Sequence, residues 1–260
     1  MVNTTAVYDL QGKVVKRVSL PEVFQTPLRP DVIKKVVIAI QSHSFQPQGR
    51  DVMAGKRTTA ESKGTGYDLS RVPRIKGGGS LSGSGALAPG TVGGRQAHPP
   101  VAEKIIAKAI NKKERRFATR SAIAATANKD LAASRGHIVS EVQGFPLIVT
   151  DDIQSLKTAN DVKEAFVKLG VWSDIIRIKE GTRTRGGRGK MRGRRLKHGR
   201  GPLIIIAEDK GIRRAASNFL GVEVIRVNNL NAEALAPGTN PGRLTVWTES
   251  AVKGLDELFS

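Results

Sequence analysis

The feature that most restricts how this chain can fold is a long, basic, glycine-rich interruption. It occupies residues 44–100, between two well-patterned amphipathic segments. From Phe45 to Pro100 it holds 12 of the 28 glycines, and no acidic residue occurs between Asp68 and Glu103. Almost nothing in it repeats at the helical or strand period, and Tyr67 is its only aromatic residue after Phe45. Such a segment has too little apolar surface to offset an ordering cost of about 1–2 kcal/mol per residue. A loop this long inside a compact domain is disordered or functional. Its positive charge indicates what could order it. A polyanion would do so, and the segment reads as an arm shaped by nucleic acid.

Composition supports this reading. Lys plus Arg number 43 against 23 Asp plus Glu, a formal charge of +20 over 260 residues. That charge implies attraction to phosphate or to an anionic membrane surface. No run of about 18 apolar residues exists, so no membrane-spanning helix is expected. The opening Met1-Val2-Asn3-Thr4 lacks the charged-then-apolar order of a secretion signal. The basic residues cluster in Gly-rich stretches with little apolar content, which argues against a helix lying on a membrane. With no cysteine there are no disulfides or thiol chemistry, consistent with an intracellular home.

The rest of the chain is patterned. Ala6 to Phe24 reads as two short extended runs around the turn Gln11-Gly12-Lys13. Pro30-Asp31 opens a helix with Asp31 as its cap and Val32, Ile33, Val36, Val37 and Ile40 as its apolar stripe. Val101 to about Ala133 reads as helical, with Ile105, Ile106, Ala109 and Ile110 on one face and a break near Asn111. Phe117, Ala118, Ala122, Ala124 and Ala125 continue that surface. Strands then alternate with helices. Pro146–Thr150 is a buried run, followed by Asp151-Asp152 and a helical stretch to Leu169. Leu203–Ala207 leads into a helix through Ile212, Ala215, Ala216, Phe219 and Leu220 that Gly221 stops. Val222–Val227 and Leu244–Trp247 are strands, and Glu249–Leu258 is a final helix. The expected fold is α/β: a mostly parallel, helix-covered sheet, a Rossmann-like scaffold, with one long extended arm inserted near the N-terminus. Residues 1–44 and 101–260 form the globular domain, 45–100 the arm, and 179–201 a basic Arg/Gly loop within the domain.

That loop is the second charge cluster. Arg183 to Arg200 contains nine Lys or Arg, five Gly and no acid. Glycines let the backbone approach phosphates, and arginine offers forked donors and a face that stacks on bases. The candidate RNA contacts are therefore Arg183, Arg185, Arg188, Lys190, Arg192, Arg194, Arg195, Lys197 and Arg200 here. In the arm they are Arg50, Lys56, Arg57, Lys63, Arg71, Arg74, Lys76, Arg95 and His98. His98 precedes Pro99-Pro100 in an extended stretch, which suits backbone or phosphate contact better than a metal.

Other chemistries find little support. Gly189-Lys190 has Thr184 where a P-loop needs glycine, and Met191 where it needs Ser or Thr; Lys76-Gly-Gly-Gly79 follows no strand. His43, His98, His137 and His198 show no metal-binding spacing, so no metal or cofactor is expected. Asp151-Asp152 stands where open α/β sheets place active sites, but Asp at that junction usually caps the next helix. Ser250 lacks a nucleophile-elbow pattern. Trp172 and Trp247 read as packing residues rather than base platforms.

The residues also carry a family resemblance. Thr59-Ala-Glu-Ser-Lys-Gly-Thr-Gly66, Arg71-Val-Pro-Arg74 and Ala97-His-Pro-Pro100 resemble the long arm of the ribosomal protein L four family, universal large-subunit protein four. Lys113-Glu-Arg-Arg116 with Thr119-Arg-Ser-Ala-Ile-Ala-Ala-Thr126 resembles the helix that follows. Arg188-Gly-Lys-Met-Arg-Gly-Arg-Arg195, Pro202-Leu-Ile-Ile-Ile206 and Pro241-Gly-Arg-Leu-Thr-Val-Trp-Thr-Glu-Ser250 extend it over essentially the whole chain. The resemblance points to the archaeal and eukaryotic branch. The chain lacks the lysine-rich extension of eukaryotic members, which implies an archaeal source.

The resemblance implies a non-enzymatic constituent of the large ribosomal subunit in the cytoplasm. Its partners would be large-subunit rRNA, neighbouring ribosomal proteins and, transiently, the nascent polypeptide, with no membrane and no small-molecule substrate. It would act early in assembly, and some bacterial relatives repress their own operon. It adds Arg115, Arg116 and Arg120 to the RNA contacts, and places Tyr67, Arg71, Arg74 and Lys76 nearest the peptide exit tunnel. Two other classes remain open: an α/β enzyme acting on RNA with Asp151 or Asp152 as its acid, and a free-standing Arg-Gly RNA chaperone.

Overall fold

The strand Leu203–Ile206 shows how the scaffold is built. In the computed structural model, which describes residues 4–259, all four of its side chains are buried. Each such burial is worth about 1.5–3 kcal/mol. A strand buried on both faces needs cover on both, and two hydrophobic clusters supply it. Leu203 and Ile205 point into one, Ile204 and Ile206 into the other. Ile148 and Trp247 join the first; Leu147, Val149 and Val246 join the second.

The chain enters through the hairpin β1 (Thr4–Tyr8) and β2 (Val14–Ser19). At its turn Asp9 Oδ1 accepts from the amides of Gln11 and Lys13, each at 2.8 Å. Helices α1 (Pro30–Ser42), α2 (Lys112–Thr126) and α3 (Lys129–Ser134) precede β3 (Leu147–Val149). Then come α4 (Ala159–Lys168), α5 (Trp172–Glu180) and a ribbon of β4 (Arg183–Thr184) with β5 (Leu196–Lys197). The chain continues through β6 (Leu203–Ile206), α6 (Ile212–Ala216), β7 (Glu223–Arg226), α7 (Ala232–Leu235), β8 (Thr245–Thr248) and α8 (Glu249–Phe259). The main sheet has the order β2-β1-β3-β8-β6-β7. Every pairing in it is parallel except β1 with β2, where the short turn forces an antiparallel edge. Residues of α1, α2, α7 and α8 pack into the first cluster, and residues of α4, α5 and α6 into the second.

The chain divides into two compact units, Met1–Gln41 with Ala109–Ser260, and Ser42–Lys108. Both hydrophobic clusters belong to the first.

Several expectations change. Residues 101–111 are not helical, although their apolar spacing is helical. Ile105 is 89% exposed and Val101 is exposed, and of the stripe only Ile110 packs against the first cluster. Most of it therefore lacks tertiary support, and a short helix without such support is marginal in water. Asn111 is the N-cap residue of α2, not a break within a longer helix. Asp31 lies inside the first turn of α1 rather than capping it. There Arg29 donates to both its oxygens, at 3.0 and 2.7 Å, and this pairing lowers the Asp31 carboxyl to about 2. The stretch after β3 is a 3-10 turn, Asp151–Ser155, followed by the separate helix α4. Helix α6 ends at Ala216, before Phe219 and Leu220.

Candidate nucleic-acid interface

The Ser42–Lys108 unit has no helix or regular strand beyond the end of α1, so its backbone is held by scattered bonds. Glu61 and Arg74 exchange amide–carbonyl bonds of 3.1 and 3.0 Å, and Arg74 also bridges to Gly85. The Arg74 side chain turns back onto the same unit, with Nη1 donating to Gly83 O at 2.8 Å and Nη2 to Ser70 Oγ at 3.1 Å. Gly55 and Gly94 press backbone against backbone; a Cβ on Gly55 would lie 2.5 Å from the Gly94 carbonyl carbon.

The candidate contacts in this unit fall into two groups. Lys56, Lys63, Arg71 and His98 are exposed, as is Tyr67 at 61%. Others have internal partners. Arg57 pairs with Asp51 and holds that carboxyl below its usual range, and Lys76 pairs with Glu61. Arg50 Nη1 donates to Gln96 Oε1 at 3.0 Å. Arg95 is half-buried, its amide donating to Leu87 O at 3.2 Å. So the four residues grouped by sequence near Tyr67 differ: Tyr67 and Arg71 are exposed, Lys76 is exposed but paired with Glu61, and Arg74 bonds back onto its own unit.

Residues 183–200 form a ribbon rather than a featureless loop, and α5 runs to Glu180 before it starts. Arg183 is paired with Lys197 and Thr184 with Leu196, and the Arg185 amide extends the ladder to Arg195 O at 2.9 Å. A 3-10 turn, Arg188–Arg192, closes on Gly193 at φ 77°, where an L side chain would be strained. All nine cations, Arg183, Arg185, Arg188, Lys190, Arg192, Arg194, Arg195, Lys197 and Arg200, are exposed. Like charges opposite one another weaken a ribbon. An anion between Arg183 and Lys197 would reverse that penalty.

The base of the ribbon is anchored by two charge networks that sequence reading missed. In the first, Arg243 is fully buried in the segment leading to β8. It donates to the carbonyls of Gly201 and Ala234, both at 2.8 Å, and to Glu223 Oε2 at 2.7 Å. Glu223 Oε1 receives Arg200. Burial lowers the Arg243 pKa, with Glu223 opposing the shift. In the second, Asp174 is fully buried on α5. Its carboxylate meets His137 Nδ1 at 2.9 Å, the Ile138 amide at 3.1 Å and Arg177 Nε at 2.8 Å. Arg177 Nη2 then reaches Arg200 O at 3.3 Å. Burial alone would raise the Asp174 carboxyl, but His137 and Arg177 together hold it below its usual range. Nearby, burial and the positive neighbours Arg243 and Arg177 lower Arg135 to about 10. An arginine directly before an apolar strand run was the available signal for Arg243.

On α2, Arg115 and Arg116 are exposed and flank a shallow cavity of about 430 Å³ with Asn228 and Phe259. Arg120 has a different task. It donates through Nη2 to the Phe259 carbonyl at 2.5 Å, satisfying the end of α8.

Asp151 also has a structural task, though not the expected one. Strands β3 and β8 are parallel neighbours with Val149 opposite Thr248, so two residues further on Asp151 meets Ser250. Asp151 Oδ1 accepts from the Ser250 amide at 3.1 Å, and its other oxygen takes the Ser250 hydroxyl. It therefore caps α8, 99 residues away, and not the helix that follows it in sequence. Asp152 accepts from Thr150 Oγ1 at 3.0 Å. Among the described residues no His, Asp and Glu cluster could hold a metal, and no helix is long and apolar enough to cross a membrane.

Residues 18–258 match the ribosomal protein L4/L1 family. The chain is 49% identical over 253 residues to the large ribosomal subunit protein uL4 of Methanosphaera stadtmanae, covering 97% of this chain and 96% of the relative. Against uL4 of Saccharolobus islandicus it is 48% identical over 257 residues, covering 98% and 95%. The chain belongs to the ribosomal protein L4/L1 family. Membership makes it a structural protein of ribosomal type rather than an enzyme, and these relatives are archaeal. The family match spans both basic segments and the Asp174 and Arg243 networks.

Proposed function

We propose that the chain is a structural constituent of the large ribosomal subunit in the cytoplasm, where it binds large-subunit rRNA and assists early assembly. On this reading the first unit is a Rossmann-like scaffold seated on rRNA. The Ser42–Lys108 unit is the inserted arm, reaching the wall of the peptide exit tunnel beside the nascent chain. Neighbouring ribosomal proteins are its other partners. The observation that carries the proposal is near-full-length identity to uL4 relatives, on a chain whose ribbon exposes nine cations without an intervening acid. Phosphate contacts with counterion release supply the affinity, and arginine stacking and 2′-hydroxyl contacts the fit to RNA.

Sedimentation of cell extracts tests it. The protein should co-migrate with the large subunit and remain there through a moderate salt wash. A protein found mainly in the free pool would be a chaperone or a factor, and the proposal would fail.

A further inference from the structure

Helix α5, Lys163 of α4 and the turn after α6 enclose an open groove of about 780 Å³ whose lining is mostly apolar. Its floor is the edge-to-face pair Trp172–Phe219, with ring centroids 5.6 Å apart, and Phe166 backs Phe219 from the core at 6.3 Å. Ile176 and Leu220 form its walls and are 41% and 40% exposed. Lys163 lies 5.5 Å from the Trp172 ring centroid, and Lys179 stands on the same rim. Among the described residues lining it there is no arginine, in contrast to the Arg/Gly ribbon.

An exposed apolar groove on so charged a chain selects for apolar anchors, not for phosphates. Aromatic residues with a rigid backing are the usual energetic centres of protein interfaces. The rim lysines add a preference for carboxylates, while Glu180 disfavours them at its end of α5. We propose that this groove docks an acidic amphipathic helix of a partner protein. Its apolar side chains, spaced i, i+4 and i+7, would enter between Ile176 and Leu220, and its carboxylates would meet Lys163 and Lys179.

The test uses the full chain and a synthetic peptide of roughly four helical turns, with Leu at those spacings and Glu elsewhere. Trp172 and Trp247 are the only tryptophans, and Trp247 is fully buried, so a fluorescence change reports on Trp172. Saturable binding is expected. The pair Ile176→Ser with Leu220→Ser should weaken it by about tenfold or more, as should Lys163→Glu with Lys179→Glu. Both variants should keep wild-type unfolding, and the serine pair should keep its rRNA-fragment affinity, so a failure here is separable from a failure of RNA binding. Equal binding to the serine variant would place the peptide on the basic ribbon and overturn the proposal. An RNA oligonucleotide that competes for the Trp172 signal would make the groove a nucleic-acid surface. Self-association abolished by the serine pair would make it a site for a second copy of this chain.

Discussion

Arg243, with no exposed surface, donates through Nη1 to Glu223 Oε2 at 2.7 Å, and the other oxygen of the same carboxylate holds Arg200 at the end of the basic ribbon. One side chain thus joins a buried guanidinium to a surface cation. Replacing it leaves Arg243 buried without its counter-charge. Glu223→Ala should cost about 3 kcal/mol of unfolding free energy, the low end for a broken buried pair because Glu223 is 32% exposed. Arg243→Met should not be neutral either, since the carbonyls of Gly201 and Ala234 would lose their donor. Urea titration of the two variants checks both; a loss under about 1 kcal/mol for Glu223→Ala would mean that water replaces the carboxylate.

The second network gives a pH dependence with a definite sign. Asp174 has its folded pKa below the usual carboxylate value of about 3.9. Its contribution is therefore fully present above that pH and is lost as pH falls toward the lower folded value. Asp174→Asn should cost about 3 kcal/mol near neutrality. The gap from wild type should narrow steadily below about pH 4. Unfolding free energies measured between neutral and acidic pH decide it, and a constant gap would remove the charge from the explanation.

How much of this was legible beforehand follows the range of the interactions. Leu203–Ile206 and the α2 stripe through Ala118, Ala122 and Ala125 were legible because local pattern and burial agree. Residues 101–111 carry a helical pattern but bury little of it, only Ile106 and Ile110 being partly covered, and pattern alone cannot report what lies opposite Ile105. The position of Asp151 after a strand reads as a cap for the next helix, yet the helix it caps begins beside Ser250, 99 residues away, because two parallel strands bring the ends together. The exposed cations were legible as a set, but which of them are tied down was not. Arg74 and Arg120 look like Arg71 and Arg115 in a sequence, and only the fold gives them internal acceptors.

The ribbon should dominate the salt dependence of RNA binding. If roughly ten phosphates are neutralised by the whole chain, the log–log slope of affinity against salt should be about −7 or steeper. Replacing Arg185, Arg188, Lys190, Arg192 and Arg194 by Ala removes five exposed charges. The slope should flatten by about 3.5, at about 0.7 per lost phosphate. Filter binding to an rRNA fragment across a salt series measures it, and an unchanged slope would place the ribbon outside the interface.

Replacing Gln46–Pro99 by a short Gly/Ser linker should leave a folded first unit. Both hydrophobic clusters are built from residues outside that stretch, and closure entropy varies slowly with loop length. Calorimetry should record one cooperative transition. Loss of cooperativity would show that the excised residues stabilise the core.

Arg71 and Arg74 separate two roles that a joint substitution would confuse. Arg74 makes two side-chain bonds and two backbone bridges within its own unit. Arg74→Ala should therefore loosen the Glu61–Gly85 region, raising its amide exchange and proteolysis in the free protein. Arg71 is exposed, and Arg71→Ala should leave both unchanged. On the proposed reading, a fixed charge in a confined tunnel acts more strongly than on an open surface, because bulk water and ions screen it less. Ribosomes carrying Arg71→Ala should then assemble normally but alter the dwell of nascent chains with charged stretches. Those carrying Arg74→Ala should lose assembly efficiency first. Ribosome profiling beside subunit quantification distinguishes the two. Normal pausing with Arg71→Ala would remove that residue from the tunnel wall, and failed assembly would make it a contact that the subunit needs in order to form.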